Sequence, residues 1–214
     1  MNNMQIETII VGPFEVNCYL VHELDGNTGV IIDPGGDEEV IIRRIEKAGF
    51  TPKAIFLTHG HGDHIAAVGA LKARYNVPLY VGAGDEKMLE SPSENISAMF
   101  GFEITCPKAE FALKGDETIQ AGNLEFTVFA APGHSVGSLC YFIGKHLFCG
   151  DVLFNGSIGR TDLPGGDYEQ LIGSIEKNIL TLPDDILCYP GHGPRTTVGS
   201  ERRNNPFLSG RHFV

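Results

Sequence analysis

Three histidines and an aspartate crowd into six residues of the stretch Thr58-His59-Gly60-His61-Gly62-Asp63-His64. The group directly follows the apolar run at 54–58 (AIFLT), which reads as a buried strand, and directly precedes the helix-periodic run at 65–75. A strand-to-helix turn leaves little freedom. Side chains two apart on extended backbone point the same way, so His59 and His61 converge on one point. Asp63 and His64, at the start of the turn, reach a second point nearby. Gly60 and Gly62 are expected to let the backbone fold tightly while the side chains gather. With only 8 histidines in 214 residues, three of them in one polar surface loop by chance is improbable.

Two more histidines and an aspartate occupy comparable places. Pro132-Gly133-His134 follows the strand-like run at 124–131, Pro190-Gly191-His192 follows the run at 185–190, and Asp151 follows the run at 146–150. Each is a ligand-type residue at the C-terminal end of an expected strand, where loops gather residues distant in sequence. A single Pro-Gly-His could be no more than a turn; two such turns beside the cluster at 59–64 point to one site. Imidazole and carboxylate together suit zinc, iron or manganese, whereas an all-oxygen set suits calcium or magnesium. Five histidines and two aspartates are enough for two divalent metal ions, zinc first, with iron or manganese as alternatives. Such a pair forms hydroxide at neutral pH and polarises a carbonyl oxygen, so the metal-bound hydroxide, not Ser or Cys, supplies the nucleophile.

Around these sites, strand-like runs at 5–11, 17–22, 28–33, 54–58 and 78–82 interleave with helical runs at 37–49 and 65–75. A second set at 117–120, 124–131, 138–143, 146–150 and 185–190 interleaves with helices at 167–180 and 198–204. The stretch 84–105 reads as short helices around Met88 and Met99. Interleaving in both halves implies two packed sheets with helices outside, four layers in one domain over residues 1–214.

The ordered set THGHGDH, APGHS (131–135), Gly150-Asp151 and PGH (190–192) resembles the metallo-β-lactamase superfamily. The resemblance implies an α/β (α+β) fold, a four-layer αββα sandwich. It implies His59, His61 and His134 on a first metal, Asp63, His64 and His192 on a second, and Asp151 bridging, with Asp63 as the candidate catalytic residue. Asn17-Cys18-Tyr19-Leu20, Asp33-Pro34-Gly35-Gly36 and Gly159-Arg160-Thr161-Asp162 are similar to the glyoxalase II-like hydrolases. That likeness implies a small-molecule substrate, a glutathione-type thioester such as S-D-lactoylglutathione, with Arg160 as a candidate substrate-binding residue. Only 22 residues follow His192, too few for the helical glutathione-binding domain of the full-length pattern. Arg195, Arg202, Arg203 and Arg211 against the single Glu201 are one candidate substitute for it. Non-haem iron persulfide dioxygenases also resemble this chain, and imply His59, His134 and Asp151 alone as ligands.

Charge bounds the partners. Sixteen basic against 27 acidic residues, a net −11, disfavour a nucleic-acid backbone. No window approaches the apolar length of a membrane span, and the first residues lack a secretory pattern, so a cytoplasmic location without membrane attachment is expected. Five cysteines, none close to another, read as reduced thiols in strands. No heptad pattern speaks to oligomeric state.

Overall fold

The computed structural model describes residues 4–24 and 27–208 and contains two six-stranded sheets packed face to face. The first sheet runs in chain order: β1 (Met4–Val11), β2 (Val16–Glu23), β3 (Thr28–Ile32), β4 (Thr51–Phe56), β5 (Leu79–Gly82) and β6 (Phe111–Leu113). Helices α1 (Glu38–Ala48), α2 (Gly62–Ile65) and α3 (Val68–Tyr75) belong to this half. The second half contains β7 (Thr118–Ala121), β8 (Leu124–Ala130), β9 (Leu139–Ile143) and β10 (His146–Gly150). A small hairpin, β11 (Leu153–Phe154) and β12 (Ser157–Ile158), follows, then α4 (Tyr168–Asn178), β13 (Leu187–Pro190), β14 (Thr196–Thr197) and α5 (Val198–Asn204). Its sheet is ordered β14-β13-β10-β9-β8-β7.

The layers follow from period-two alternation in strands that are apolar on both faces. On β3, Ile31 packs outward with Ile41 and Ile45 of α1 and Val68 and Leu71 of α3. Its neighbours Val30 and Ile32 pack inward, with Phe56, Phe126, Tyr141 and Phe148, between the sheets. A third core joins Cys140, Leu147 and Cys149 to Leu171 and Ile175 of α4 and Val198 of α5. Three cores separate four layers, the expected αββα sandwich. The inter-sheet core is aromatic at its centre: Phe56 stacks on Tyr141 at 4.9 Å and meets Phe126 edge-on at 5.1 Å. Truncating a buried phenylalanine of this kind costs about 3–5 kcal/mol.

Several expectations shift. The helix expected over 65–75 begins at Gly62, breaks after Ile65 and restarts at Val68, because the Ala67 N–H is drawn to the Pro34 carbonyl at 2.9 Å. The strand expected at 54–58 starts at Thr51 and ends at Phe56, although the Leu57 N–H still donates to Tyr80 O at 3.0 Å. Strands β6, β11, β12 and β14 went unread, since two or three residues are too short to display a period. The 84–105 stretch does hold two 3₁₀ turns, Glu86–Glu90 and Ser97–Phe100, around Met88 and Met99. All five cysteines are buried and unpaired. Among the described residues, no helix is long and apolar enough to cross a membrane.

Topology places the site. Strand β9 is antiparallel to both β8 and β10, and β13 is parallel to β10, so β8, β10 and β13 all end at one edge. The pairing Gly150↔Pro190 brings Asp151 and His192 out on adjacent strands. The Leu139 N–H donates to Thr58 O at 2.7 Å and ties the loop after β4 to that same edge.

Candidate metal centre

All seven expected residues converge there. Their donor atoms form three overlapping groups, each within 4.8 Å: His59, His61 and His134; His59, His64 and Asp151; Asp63, His64 and His192. His134 Nε2 lies 3.0 Å from His61 Nδ1. Asp151 reaches both sides, with Oδ1 3.5 Å from His64 Nε2 and Oδ2 3.7 Å from His134 Nε2 and 3.6 Å from His192 Nε2. Asp63 Oδ2 is 3.4 Å from His192 Nε2.

The donors fit cations. His59 Nε2, His61 Nε2, His64 Nε2 and Asp151 Oδ1 are buried without any hydrogen-bond partner. An unsatisfied buried polar atom costs about 1–3 kcal/mol, and four in one place are hard to explain except as ligands. Burial pushes the His59 imidazole well down, and burial with the neighbouring His134 brings His61 to about 3, so both are neutral lone-pair donors. Burial pulls His64 the same way, but the carboxylates of Asp63, Asp151 and Asp33 outweigh it and raise it to about 10. Burial pushes the Asp63 carboxyl up; His64 and His192 outweigh that and hold it well below the usual carboxylate range. The neutral imidazoles of His59 and His61 offer lone pairs, and the rise at His64 shows that the acidic groups around it favour a positive charge in this buried floor.

In four of the five imidazoles the second nitrogen faces an oxygen of the chain, the arrangement that usually orients a metal-binding histidine. His134 Nδ1 donates to Arg160 O at 2.8 Å and His192 Nδ1 to Phe14 O at 3.0 Å. His59 Nδ1 sits 3.2 Å from Thr58 Oγ1, and that hydroxyl donates to Asp33 Oδ2 at 2.6 Å. The Thr58 N–H donates to Asp33 Oδ1 at 2.8 Å, and His64 Nδ1 stands 3.1 Å from Asp33 Oδ2, at ion-pair distance but outside hydrogen-bond alignment. Asp33 therefore serves two histidines, from a left-handed backbone conformation (φ 49°) that non-glycine residues rarely adopt.

Two clamps fix the loops. Asn17 Nδ2 donates to Pro190 O at 3.0 Å and Gly193 O at 2.8 Å, and the Tyr19 hydroxyl donates to Pro190 O at 2.5 Å. These bonds hold the turn that carries His192 and give the Asn17-Cys18-Tyr19 segment its physical reason. Asp85, after β5, accepts from Gly60 N at 3.0 Å, Ser135 Oγ at 2.7 Å and Gly137 N at 2.7 Å, stapling the His59–His64 loop to the His134 loop. Burial raises its carboxyl, and those donors oppose the rise.

The expectation for Gly60 and Gly62 changes in kind. Neither adopts positive φ; a Cβ on either would lie 2.7 Å from the Cβ of Met88 or Ser97, so what they provide is close approach of the 84–105 segment. A Cβ on Gly191 would fall 2.1 Å from Asp151 Oδ1.

The residues missed in the sequence are those that hold the candidate ligands. Asp33 stood out only through the DPGG resemblance, and nothing in Gly84-Asp85-Glu86 marks Asp85 apart from an ordinary acidic turn. Arg160 lines the cavity over the centre, but its Nε and Nη2 donate to Asp162 at 2.8 Å each, and its contribution to the centre is the carbonyl that holds His134. The basic C-terminal group is not gathered at the cavity. Arg202 donates to Leu180 O at 2.6 Å and Leu182 O at 2.8 Å, and both it and Arg203 pair with Asp184. Arg195 is not in the cavity lining and stands by Tyr189, and Arg211 lies outside the described residues.

Comparison with known proteins identifies the family and the fold. The profile of the metallo-beta-lactamase superfamily matches residues 11–192. A probable metallo-hydrolase of Bacillus subtilis, YqgX, is 40% identical over 203 residues, 94% of this chain and 95% of its own length. The hydroxyacylglutathione hydrolase GloC of Haemophilus influenzae is 40% identical over 213 residues, 97% of this chain and 100% of its own. Among solved structures, the BLEG-1 B3 metallo-beta-lactamase superposes with a TM-score of 0.93 at 42% identity, covering 96% of this chain and 100% of that one. TTHA1623 in a di-iron-bound form gives 0.84 at 37% identity, covering 94% and 100%. The chain belongs to the metallo-beta-lactamase superfamily.

Proposed function

We propose that this chain, a metal-dependent hydrolase of that superfamily, binds two divalent metal ions on the seven converging side chains and cleaves a glutathione-type thioester such as S-D-lactoylglutathione. The observation that carries the reading is the convergence of seven donor side chains, His59, His61 and His134 on one side and Asp63, His64 and His192 on the other with Asp151 reaching both, where His59, His61, His64 and Asp151 hold buried atoms without a hydrogen-bond partner. The thioester is supported by the likeness to GloC over its whole length. Zinc is the first expectation; the di-iron form of TTHA1623 keeps iron beside it.

A metal pair held there supplies an activated water at neutral pH and Lewis-acid polarisation of a carbonyl oxygen. The chain's own groups position the reaction. Asp63, kept ionised by its imidazole neighbours, would hold an ion with His64 and His192 and orient the attacking water through its carboxylate. Asp33, through Thr58 and His64, keeps the floor's donors aimed inward. Arg160, at the mouth and steadied by Asp162, offers its remaining N–H groups to a substrate carboxylate.

The test is elemental analysis of the purified protein together with assays on S-D-lactoylglutathione and on glutathione persulfide. About two metals per chain with thioester cleavage is the expected result. A single iron per chain with oxygen uptake on the persulfide overturns it in favour of the dioxygenase reading on His59, His134 and Asp151.

A further inference from the structure

The cavity above the metal centre has a floor of ligands and a wall of a different character. Phe14, Ile96, Phe100, Ile104 and Leu163 face the ligands across a space of about 190 Å³. That is below the ~300–1,000 Å³ that encloses a whole drug-sized ligand, so the cavity takes one end of a substrate and leaves the rest in solvent. The polar side chains of the wall already have partners. Asn95 is fully buried; its Nδ2 donates to Met88 O at 2.8 Å and Ile104 O at 2.9 Å, and its Oδ1 accepts from Ser97 N at 3.1 Å. Ser97 Oγ accepts from Ile104 N at 3.2 Å, and Arg160 is turned to Asp162. Apart from the remaining N–H groups of Arg160 at the mouth, what the wall presents to a substrate is hydrocarbon.

The wall is also built under strain. Ile96 sits at φ 61°, a left-handed conformation that costs a β-branched residue on the order of 1–3 kcal/mol. It is held there by the bonds of Asn95 on one side and by the Met99 N–H donating to Ile96 O at 3.0 Å on the other. Asn95 O in turn accepts from Gly62 N at 2.9 Å, which locks this strained turn to the metal-binding loop. The apolar surface continues outward through Phe100, 48% exposed and edge-on to Phe14 at 5.1 Å, to Phe102, 40% exposed. Phe14 and Phe100 thus line the cavity, and Phe102 packs edge-on against Phe14 at 6.1 Å.

We infer that the site selects thioesters with an apolar acyl chain over the hydroxylated lactoyl group, the chain lying against Ile96 and Phe100. This rests on the thioester reading above. Glutathione is large and charged and belongs at the open mouth, whereas the acyl end is the part that fits the enclosed space and gains from burying hydrocarbon.

The zinc-loaded full chain would be assayed on S-D-lactoyl-, S-acetyl-, S-butyryl- and S-hexanoylglutathione, and binding of S-methyl- and S-hexylglutathione followed by calorimetry. A methylene in a hydrophobic pocket is worth about tenfold or more, so even a half-open wall should raise kcat/KM by at least about tenfold from acetyl to hexanoyl, and tighten the hexyl over the methyl thioether similarly. Phe100→Ala, at a half-exposed position, should lower the hexanoyl-to-acetyl ratio by about fivefold or more, a change that loss of fold alone does not produce. Cleavage of the series with hexanoyl no better than lactoyl overturns this inference and leaves the thioester reading standing. Cleavage of none of the four overturns both.

Discussion

The two sheets contribute to the candidate metal centre in opposite ways. The loop after β4 delivers four donors within six residues, and one side chain, Asp33, serves two of them through Thr58 and directly. The second sheet delivers one donor from each of three strand ends, and its histidines are aimed by main-chain carbonyls, Arg160 O for His134 and Phe14 O for His192. A local cluster concentrates its dependence on one carboxylate. A distributed set depends on strand register and on backbone, which side-chain substitution does not remove.

The largest expected effect is at the local cluster. His61→Ala removes one of the three imidazoles grouped with His59 and His134 and should lower kcat/KM by more than about tenfold, or 1.4 kcal/mol of transition-state stabilisation. Its circular dichroism should remain that of the parent, because the only hydrogen-bond contact of the His61 ring is with His134, a neighbour in the same donor group, and no element of the fold is held by it. Retention of more than a tenth of the activity would remove His61 from the ligand set. Next comes its support. Asp33→Ala leaves every ligand in place but frees Thr58 and the second nitrogen of His64, and losses of about 10–100-fold in metal affinity are typical when such partners are removed. Competition with a chromophoric chelator measures it; affinity equal to the parent would show that the cluster orients itself.

The same contrast decides what was legible in the sequence. Clustering made His59, His61, Asp63 and His64 visible without any fold, while His134, Asp151 and His192 became visible by their position after strand-like runs. The layered fold was legible because β2, β3 and β10 are apolar on both faces and the helices carry a 3.6-residue period. What stayed hidden has no local signature. Asp85 gains its meaning from three donors supplied by residues 60, 135 and 137, and Ile96 from a backbone angle. The break at Ala67 comes from the Pro34 carbonyl, 33 residues upstream. Arg160 was legible as a residue near the site, but its contributing atom is a carbonyl, which any amino acid would supply.

A third substitution probes the distributed set where a side chain does hold it. Asn17→Ala strands the Gly193 carbonyl and removes one of the two donors to the Pro190 carbonyl. It should destabilise the protein by about 1–3 kcal/mol in denaturant unfolding. Metal affinity should fall less than in Asp33→Ala, since the Tyr19 hydroxyl still holds Pro190 and the Phe14 carbonyl still aims His192. A larger loss than in Asp33→Ala would reverse the order of the two halves.

The smallest effect is the most discriminating. Arg160→Ala deletes a guanidinium that is bonded to Asp162 and leaves in place the carbonyl that accepts from His134 Nδ1. Zinc affinity should therefore stay within about threefold of the parent, below the loss seen when a histidine's outer partner is removed. Any effect should fall on KM for a glutathione thioester, whose carboxylates the guanidinium is proposed to meet at the mouth. Chelator competition and steady-state kinetics on the same preparation separate the two quantities. If zinc affinity instead falls as far as in Asp33→Ala, the ion pair with Asp162 is what holds the 159–162 segment against His134. The second sheet's donors would then depend on a side chain after all, and the contrast between the halves would disappear.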